Sequence, residues 1–280
     1  MTTLAHPALR FREVLDGIAA PHCAMALARH APRTGTRALV IDCGAGETSL
    51  DLGRLVGPKG NVVGIDGAEE VLEVAVRAAR SGRADNVSFV GCPASAHLFD
   101  GTWNFAFALF APAFHDSPRV ALAKIRRALA PEGRLVLVTW AELAANAWVE
   151  VPWLHARRHI SPLSDPAGAA GAGRFSMSEP AAVRAMLRDA GYTDVGIESA
   201  RAAIVVGRSV EEAVSFQLEL GAIGDELRRT GLTRSARDDA ALRAALAQAL
   251  AQAFAHYLTP RGVRMDSSSL CITAKVSCSR

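Results

Sequence analysis

Asp42, Gly44 and Gly46, with Asp66 placed 24 residues after Asp42, are the residues whose types and spacing point most directly to chemistry. They belong to the run Ala-Leu-Val-Ile-Asp-Cys-Gly-Ala-Gly-Glu-Thr-Ser-Leu-Asp-Leu-Gly at 38–53. Apolar residues end at Asp42, two glycines follow, and helical periodicity begins at Thr48. That order predicts a strand, a tight loop and a helix, the layout of a nucleotide-cofactor site at the carboxyl end of a first parallel strand. Glycine suits such a loop because a Cβ would oppose left-handed backbone angles and keep the main chain away from a ligand. Asp66 ends a second apolar run, Asn61–Ile65, where a carboxylate can accept hydrogen bonds from both hydroxyls of a ribose. The plainer alternative is a strand-end turn at Asp66-Gly67.

Two cofactors suit this geometry, and the residues around the glycines separate them. A pyrophosphate favours Gly-x-Gly-x-x-Gly, with the third glycine opening the helix. Here Ser49 holds that place, and Glu47 sets a carboxylate close to where phosphates would lie. S-adenosylmethionine carries no phosphate but an ammonium, a carboxylate and a sulfonium cation. An acidic loop suits it: Asp42 can act near the ammonium while amides at Gly44, Ala45 and Gly46 approach the carboxylate and ribose.

These residues need a scaffold, and the pattern from 37 to 140 supplies one. Ala38–Ile41, Asn61–Ile65, Val87–Val90, Asn104–Leu109 and Arg134–Trp140 read as strands. Thr48–Val56, Ala68–Arg80 and Arg119–Leu129 read as helices between them, the last with Ser117 as cap and Pro118 in its first turn. Pro131-Glu132-Gly133 predicts the turn into the fifth strand. Such alternation implies right-handed βαβ units and a doubly wound, mostly parallel α/β sheet. Beyond it, 161–174 is a loop of small residues. Ser178 is the expected cap of a helix near Glu179–Ala190, and Asp194–Val206 reads as a strand. Leu242, Leu246, Leu250, Phe254 and Leu258 repeat every four residues as one apolar helical stripe.

The segment from Ala38 to Trp140 resembles the class I S-adenosylmethionine-dependent methyltransferases, particularly their UbiE-like small-molecule group. Asp42-Cys43-Gly44-Ala45-Gly46 corresponds to the glycine motif of that family, and Val63-Gly64-Ile65-Asp66 to its ribose-binding acidic position. Ile125–Leu137 resembles its helix-turn-strand before the fifth strand. The resemblance implies a Rossmann-like sheet of seven strands with the last antiparallel. It implies helical additions too, and a C-terminal third that contributes to the substrate pocket. Three segments follow: a helical cap at 1–36, a cofactor-binding core at 37–140, and a part at 141–280 that completes sheet and pocket.

Three departures from the family stand out. Gly91-Cys92-Pro93-Ala94 puts Pro93 where the family carries an acid for the adenine amino group. Asn104 replaces an Asp that commonly opens the fourth strand, and Ala108-Leu109 replaces a polar or basic pair at its end. Adenine would then rely on apolar walls, for which Pro93, Ala94 and Phe110 are candidates beside Gly67. A methyltransferase-fold protein with weak or lost cofactor binding, either a binding protein or a non-methylating enzyme, is the alternative reading. A nicotinamide-dependent oxidoreductase is a third.

Methyl transfer from an activated sulfonium gains much from proximity and orientation and needs a base only where the acceptor must lose a proton. His115, just after the fourth strand, is the candidate base, because imidazole titrates near neutrality. His97, His155 and His159 are weaker candidates. Ala111-Pro112-Ala113-Phe114 lacks the Asn or Asp with which base-methylating enzymes hold a target amine, and no basic surface is evident. Phe11, Phe110, Phe114, Trp140, Trp148 and Trp153 suggest instead a small apolar or aromatic acceptor.

Composition sets the remaining bounds. The chain has 280 residues, half of them hydrophobic, and a net charge of +3, so neither a nucleic acid nor a membrane surface is an expected partner. Five scattered cysteines without a Cys-x-x-Cys pair predict neither a metal site nor a disulfide framework. A cytoplasmic monomer or homodimer, with no signal layout at its N-terminus, is the expectation.

Overall fold

A computed structural model describes residues 6–92, 102–160, 173–230 and 236–277. Along the chain, helices α1 (Pro7–Arg10) and α2 (Arg12–His30) lead into β1 (Arg37–Ile41), α3 (Glu47–Val56), β2 (Asn61–Asp66), α4 (Glu69–Ser81) and β3 (Val87–Gly91). Then come β4 (Trp103–Leu109), α5 (Ala113–Asp116), α6 (Pro118–Ala128), β5 (Leu129–Trp140), α7 (Ala147–Ala156) and α8 (Pro180–Asp189). β6 (Tyr192–Gly207), α9 (Val210–Glu219), α10 (Ala222–Thr230), α11 (Ala236–Ala255), β7 (Leu258–Thr259) and β8 (Gly262–Val276) complete it.

Contacts divide the chain into two units, each drawn from several stretches. One comprises 22–141, 169–200 and 269–280. The strands of the sheet follow the order β3-β2-β1-β4-β5-β8-β6. β1 pairs in parallel with β2 and β4, β2 with β3, and β4 with β5, whereas β8 runs antiparallel to β5. This is a Rossmann-like, doubly wound α/β sheet, with the short β7 paired to β8 as an eighth strand outside that path.

The strand sequences explain why the sheet is covered on both faces. Side chains alternate across a strand. Leu39, Ile41, Ala106, Ala108, Leu135 and Leu137 enter one core with Leu122 and Ile125 of α6 and Val183 and Leu187 of α8. Ala38, Val40, Phe105, Phe107, Val136 and Val138 enter the other with Leu52 and Val56 of α3 and Cys23 and Ala26 of α2. Four successive apolar residues in β1 are buried, as a parallel strand between two helical layers requires.

Details differ from the sequence expectations for local reasons. Glu179 rather than Ser178 caps α8, its carboxylate accepting from Ala181 N and Ala182 N at 2.9 and 2.5 Å. Ser117 occupies the cap position of α6 but makes no side-chain cap bond. The turn at 131–133 lies inside β5 as a bulge: Trp103 pairs with Leu129, yet Phe105 pairs with Arg134. The helical stripe ends before Leu258, which is exposed in β7, so this last leucine is not core.

The other unit comprises 1–21, 142–168 and 201–268. Its apolar cluster joins Trp153, Ala156, Ile160, Ile223, Leu227 and Leu246. Asn146, fully buried, accepts at Oδ1 from Trp148 Nε1 (3.2 Å) and Ser268 N (3.0 Å). Its amide donates to the Glu142 carbonyl at 3.0 Å.

Candidate functional site

The order of strands changes direction at β1, which has β2 on one side and β4 on the other. In open α/β sheets the crevice at the carboxyl ends of the strands beside such a switch point is where ligands bind. The loops after β1, β2 and β4 meet there. Asp42 leaves β1 with φ 50°, Gly44 has φ 55° and Gly46 has φ 93°, so the chain passes three times through left-handed angles. A Cβ on Gly46 would lie 2.8 Å from both Ala75 Cβ and Phe89 Cζ, which explains why only glycine fits there. A non-glycine residue such as Asp42 in this region marks strain that the surrounding structure must hold.

Hydrogen bonds supply that hold. Cys43 N donates to the Ile65 carbonyl at 2.9 Å, and Gly46 N to the Cys43 carbonyl at 3.1 Å. Asp66 Oδ2 accepts from Gly44 N and Oδ1 from Ala68 N, both at 2.9 Å. Asp42 Oδ2 accepts from Ala113 N, the first residue of α5, at 2.8 Å. Each carboxylate is therefore fixed in orientation while retaining further acceptor capacity. Burial pushes the Asp42 carboxyl above its ordinary range, opposed by the Ala113 bond and reinforced by the nearby Asp66 charge. Two acidic groups around one glycine loop are a poor host for pyrophosphate and a good one for a ligand carrying cationic groups.

The structure brings together Asp42, Gly44, Ala45, Gly46 and Asp66, with Gly67 exposed directly after Asp66. His115 is half-buried on α5, two residues beyond the amide that holds Asp42, and its carbonyl accepts from Gly173 N at 2.7 Å. Pro93, Ala94 and His97 lie outside the described residues. Cys92 N donates to the Asp66 carbonyl at 3.0 Å. Beside it an open cleft of about 540 Å³ borders Gly67, Leu72, Phe89 and Gly91. Asn104 lies at the other end of β4, where its Oδ1 accepts from Arg37 N at 3.3 Å. Its role there is in strand pairing.

Phe110 follows β4 with φ 50° and stacks on Trp140 at a centroid distance of 3.6 Å and an interplanar angle of 4°. Its place is three strands along from β3, roughly 14 Å at ordinary strand spacing. Most other aromatics considered from the sequence are core: Phe11, Phe114, Trp148 and Trp153 are all buried. His155 is half-buried, while His159, Arg157 and Arg158 are exposed.

One residue at this end of the sheet escaped sequence reasoning. His22 of α2, 1 % exposed, meets Phe110 and Trp140 edge-on at centroid distances of 5.4 and 5.5 Å. Its Nδ1 lies 2.8 Å from Ser269 Oγ. No motif surrounds it; the sole clue was a polar ring on the helical face that also carries Ala26.

The sheet order, with one antiparallel strand beside five parallel ones, and the glycine loop after β1 are those of the Rossmann-like methyltransferase fold. The family model described as a methyltransferase domain matches residues 33–158. Over 106 residues the chain is 35 % identical to a demethylmenaquinone methyltransferase of Staphylococcus aureus, covering 37 % of this chain and 43 % of that protein. The chain thus aligns with less than half the length of the curated relatives it matches. Among solved structures it is similar to the YcgJ protein of Bacillus subtilis, with a TM-score of 0.55 and 19 % identity over 92 % of this chain and 100 % of that one. It is also similar to a Haemonchus contortus phosphoethanolamine N-methyltransferase solved with S-adenosylhomocysteine, with a TM-score of 0.53 and 15 % identity over 92 % of this chain and 53 % of that one. At such identities these neighbours establish the shared fold.

Proposed function

We propose that this protein transfers a methyl group from S-adenosylmethionine to a small apolar or aromatic acceptor. The observation that carries this reading is the pair of carboxylates fixed around the glycine loop, Asp42 on Ala113 N and Asp66 on Gly44 N and Ala68 N. The relatives' names support the reaction, and the demethylmenaquinone methyltransferase among them accords with a planar acceptor.

When bound, S-adenosylmethionine supplies a methyl group already activated by its sulfonium. The chain's own residues do the rest. Asp66 accepts from the ribose hydroxyls with the lone pairs its backbone partners leave open. Asp42 would offer its carboxylate to the ammonium, and Gly44, Ala45 and Gly46 would let the main chain approach. Gly67 and Cys92 stand on the adenine side, where burial pushes the Cys92 thiol up. Phe110, after β4, would wall the opposite end of the crevice. His115 takes a proton from the acceptor where one must leave. The protein works in the cytoplasm as a monomer or homodimer. Free Cys23, Cys43, Cys92 and Cys271 suit a reducing compartment. Among the described residues no helix is long and apolar enough to cross a membrane.

Calorimetric titration with S-adenosylmethionine, S-adenosylhomocysteine and NAD tests the proposal. Binding of the first two without NAD supports it. Absence of binding by both overturns it in favour of a methyltransferase-fold protein that has lost the cofactor, a reading motivated by Pro93 standing in the sequence where the family's acid is expected.

A further inference from the structure

We infer that His22 is a positioning residue of this site: bonded to Ser269 and set edge-on against Phe110 and Trp140, it holds the Phe110 ring at the carboxyl end of β4. The inference rests on the methyl-transfer reading above and goes beyond it by assigning a role to α2.

Phe110 needs such a hold. A bulky residue at φ 50° is strained by about 1–3 kcal/mol and persists only where its surroundings over-determine it. Its N–H donates to the Val138 carbonyl at 2.8 Å, which fixes the main chain on one side. Its ring is covered by Trp140 on one face and flanked by the perpendicular His22 ring, which stands beside the stacked pair. His22 is anchored in turn by Ser269, which sits opposite Trp140 in the antiparallel pairing of β5 and β8. Ser269 is itself 1 % exposed, so neither partner has water to fall back on.

The Phe110 ring therefore sits among residues contributed by α2, β4, β5 and β8. It lies three residues upstream of Ala113, whose amide holds Asp42. A shift of Phe110 along the β4–α5 connection moves that amide, and with it the carboxylate that faces the cofactor. Burial lowers the His22 pKa to about 4, so the ring is neutral and sets no cation beside the ligand's own.

The test is a double-mutant cycle on S-adenosylhomocysteine affinity, measured by calorimetry on the full chain. His22→Asn in the wild-type background is expected to weaken binding about tenfold. In a Phe110→Ala background the same change is expected to add less than twofold, because its effect passes through that ring. Equal losses in the two backgrounds overturn the inference, as does a His22→Asn protein that binds within twofold of wild type. Where His22→Asn does not fold, Ser269→Ala, which removes one hydroxyl, carries the same cycle with the same two outcomes. A wild-type chain that binds no S-adenosylhomocysteine overturns the methyl-transfer reading itself, a failure distinct from a cycle that shows no coupling.

Discussion

Asp66 and Gly44 are joined by a hydrogen bond of 2.9 Å that ties the end of β2 to the loop after β1. The carboxylate proposed to read the ribose thus also shapes the glycine loop. The end of β2 and the glycine loop are held as one unit.

Asp66→Asn tests that coupling. It keeps the side-chain volume but loses the charge, and hydrogen bonds to charged groups contribute about 1.5–3 kcal/mol. S-adenosylhomocysteine binding should weaken by about 10- to 100-fold in calorimetry. An unchanged affinity would reassign Asp66 to the turn alone.

Gly46→Ala should damage the loop more than its size suggests. Alanine must adopt φ 93° with its methyl 2.8 Å from Ala75 and Phe89. A destabilisation of about 2–4 kcal/mol follows from strain and overpacking together. Urea unfolding followed by far-ultraviolet circular dichroism measures it, and a loss under about 0.5 kcal/mol would contradict the loop geometry.

Asn146→Ala should destabilise the other unit by about 3 kcal/mol, because two buried donors, Trp148 Nε1 and Ser268 N, lose their acceptor. Tryptophan fluorescence during urea titration reports it. The glycine loop shares none of these bonds, so Asn146→Ala and Gly46→Ala should combine additively.

Stability should fall as the solution is acidified through the window set by His22, whose pKa drops from 6.5 in the unfolded chain to about 4 on folding. Between those values the unfolded state binds a proton that the folded state refuses, so stability rises with pH across the window and is lost as pH falls through it. The full contribution is about 3 kcal/mol, present above pH 6.5 and gone near pH 4. His22→Gln has no such group. Urea midpoints of the two proteins plotted against pH should diverge between pH 4 and 6.5, and parallel curves would refute the burial of a neutral imidazole.

Much of the fold was legible in the sequence because its signals are local. β1 shows four consecutive apolar residues, α4 brings Val71, Leu72 and Ala75 to one face, and Gly44 and Gly46 punctuate the step between strand and helix. The errors were local as well. Glu179 displaced Ser178 as a cap because its longer carboxylate reaches two amides at once. Leu258 continued a four-residue rhythm beyond the point where the helix gives way to a hairpin. The distinction between fully and partly buried aromatics was not legible, since Trp148 and Phe110 carry the same apolar signal and differ only in what packs over them.

The sequence by itself determined the alternation of strand and helix, the left-handed glycine loop and the acidic character that sets a sulfonium-bearing cofactor above a dinucleotide. Each depends on residues a few positions apart, where sterics and periodicity act. Tertiary structure alone decided that Asp42 meets Ala113 across 71 residues and that His22 meets Ser269 across 247. Such pairings depend on which strands become neighbours in the sheet, and that order is set by the burial of both its faces at once.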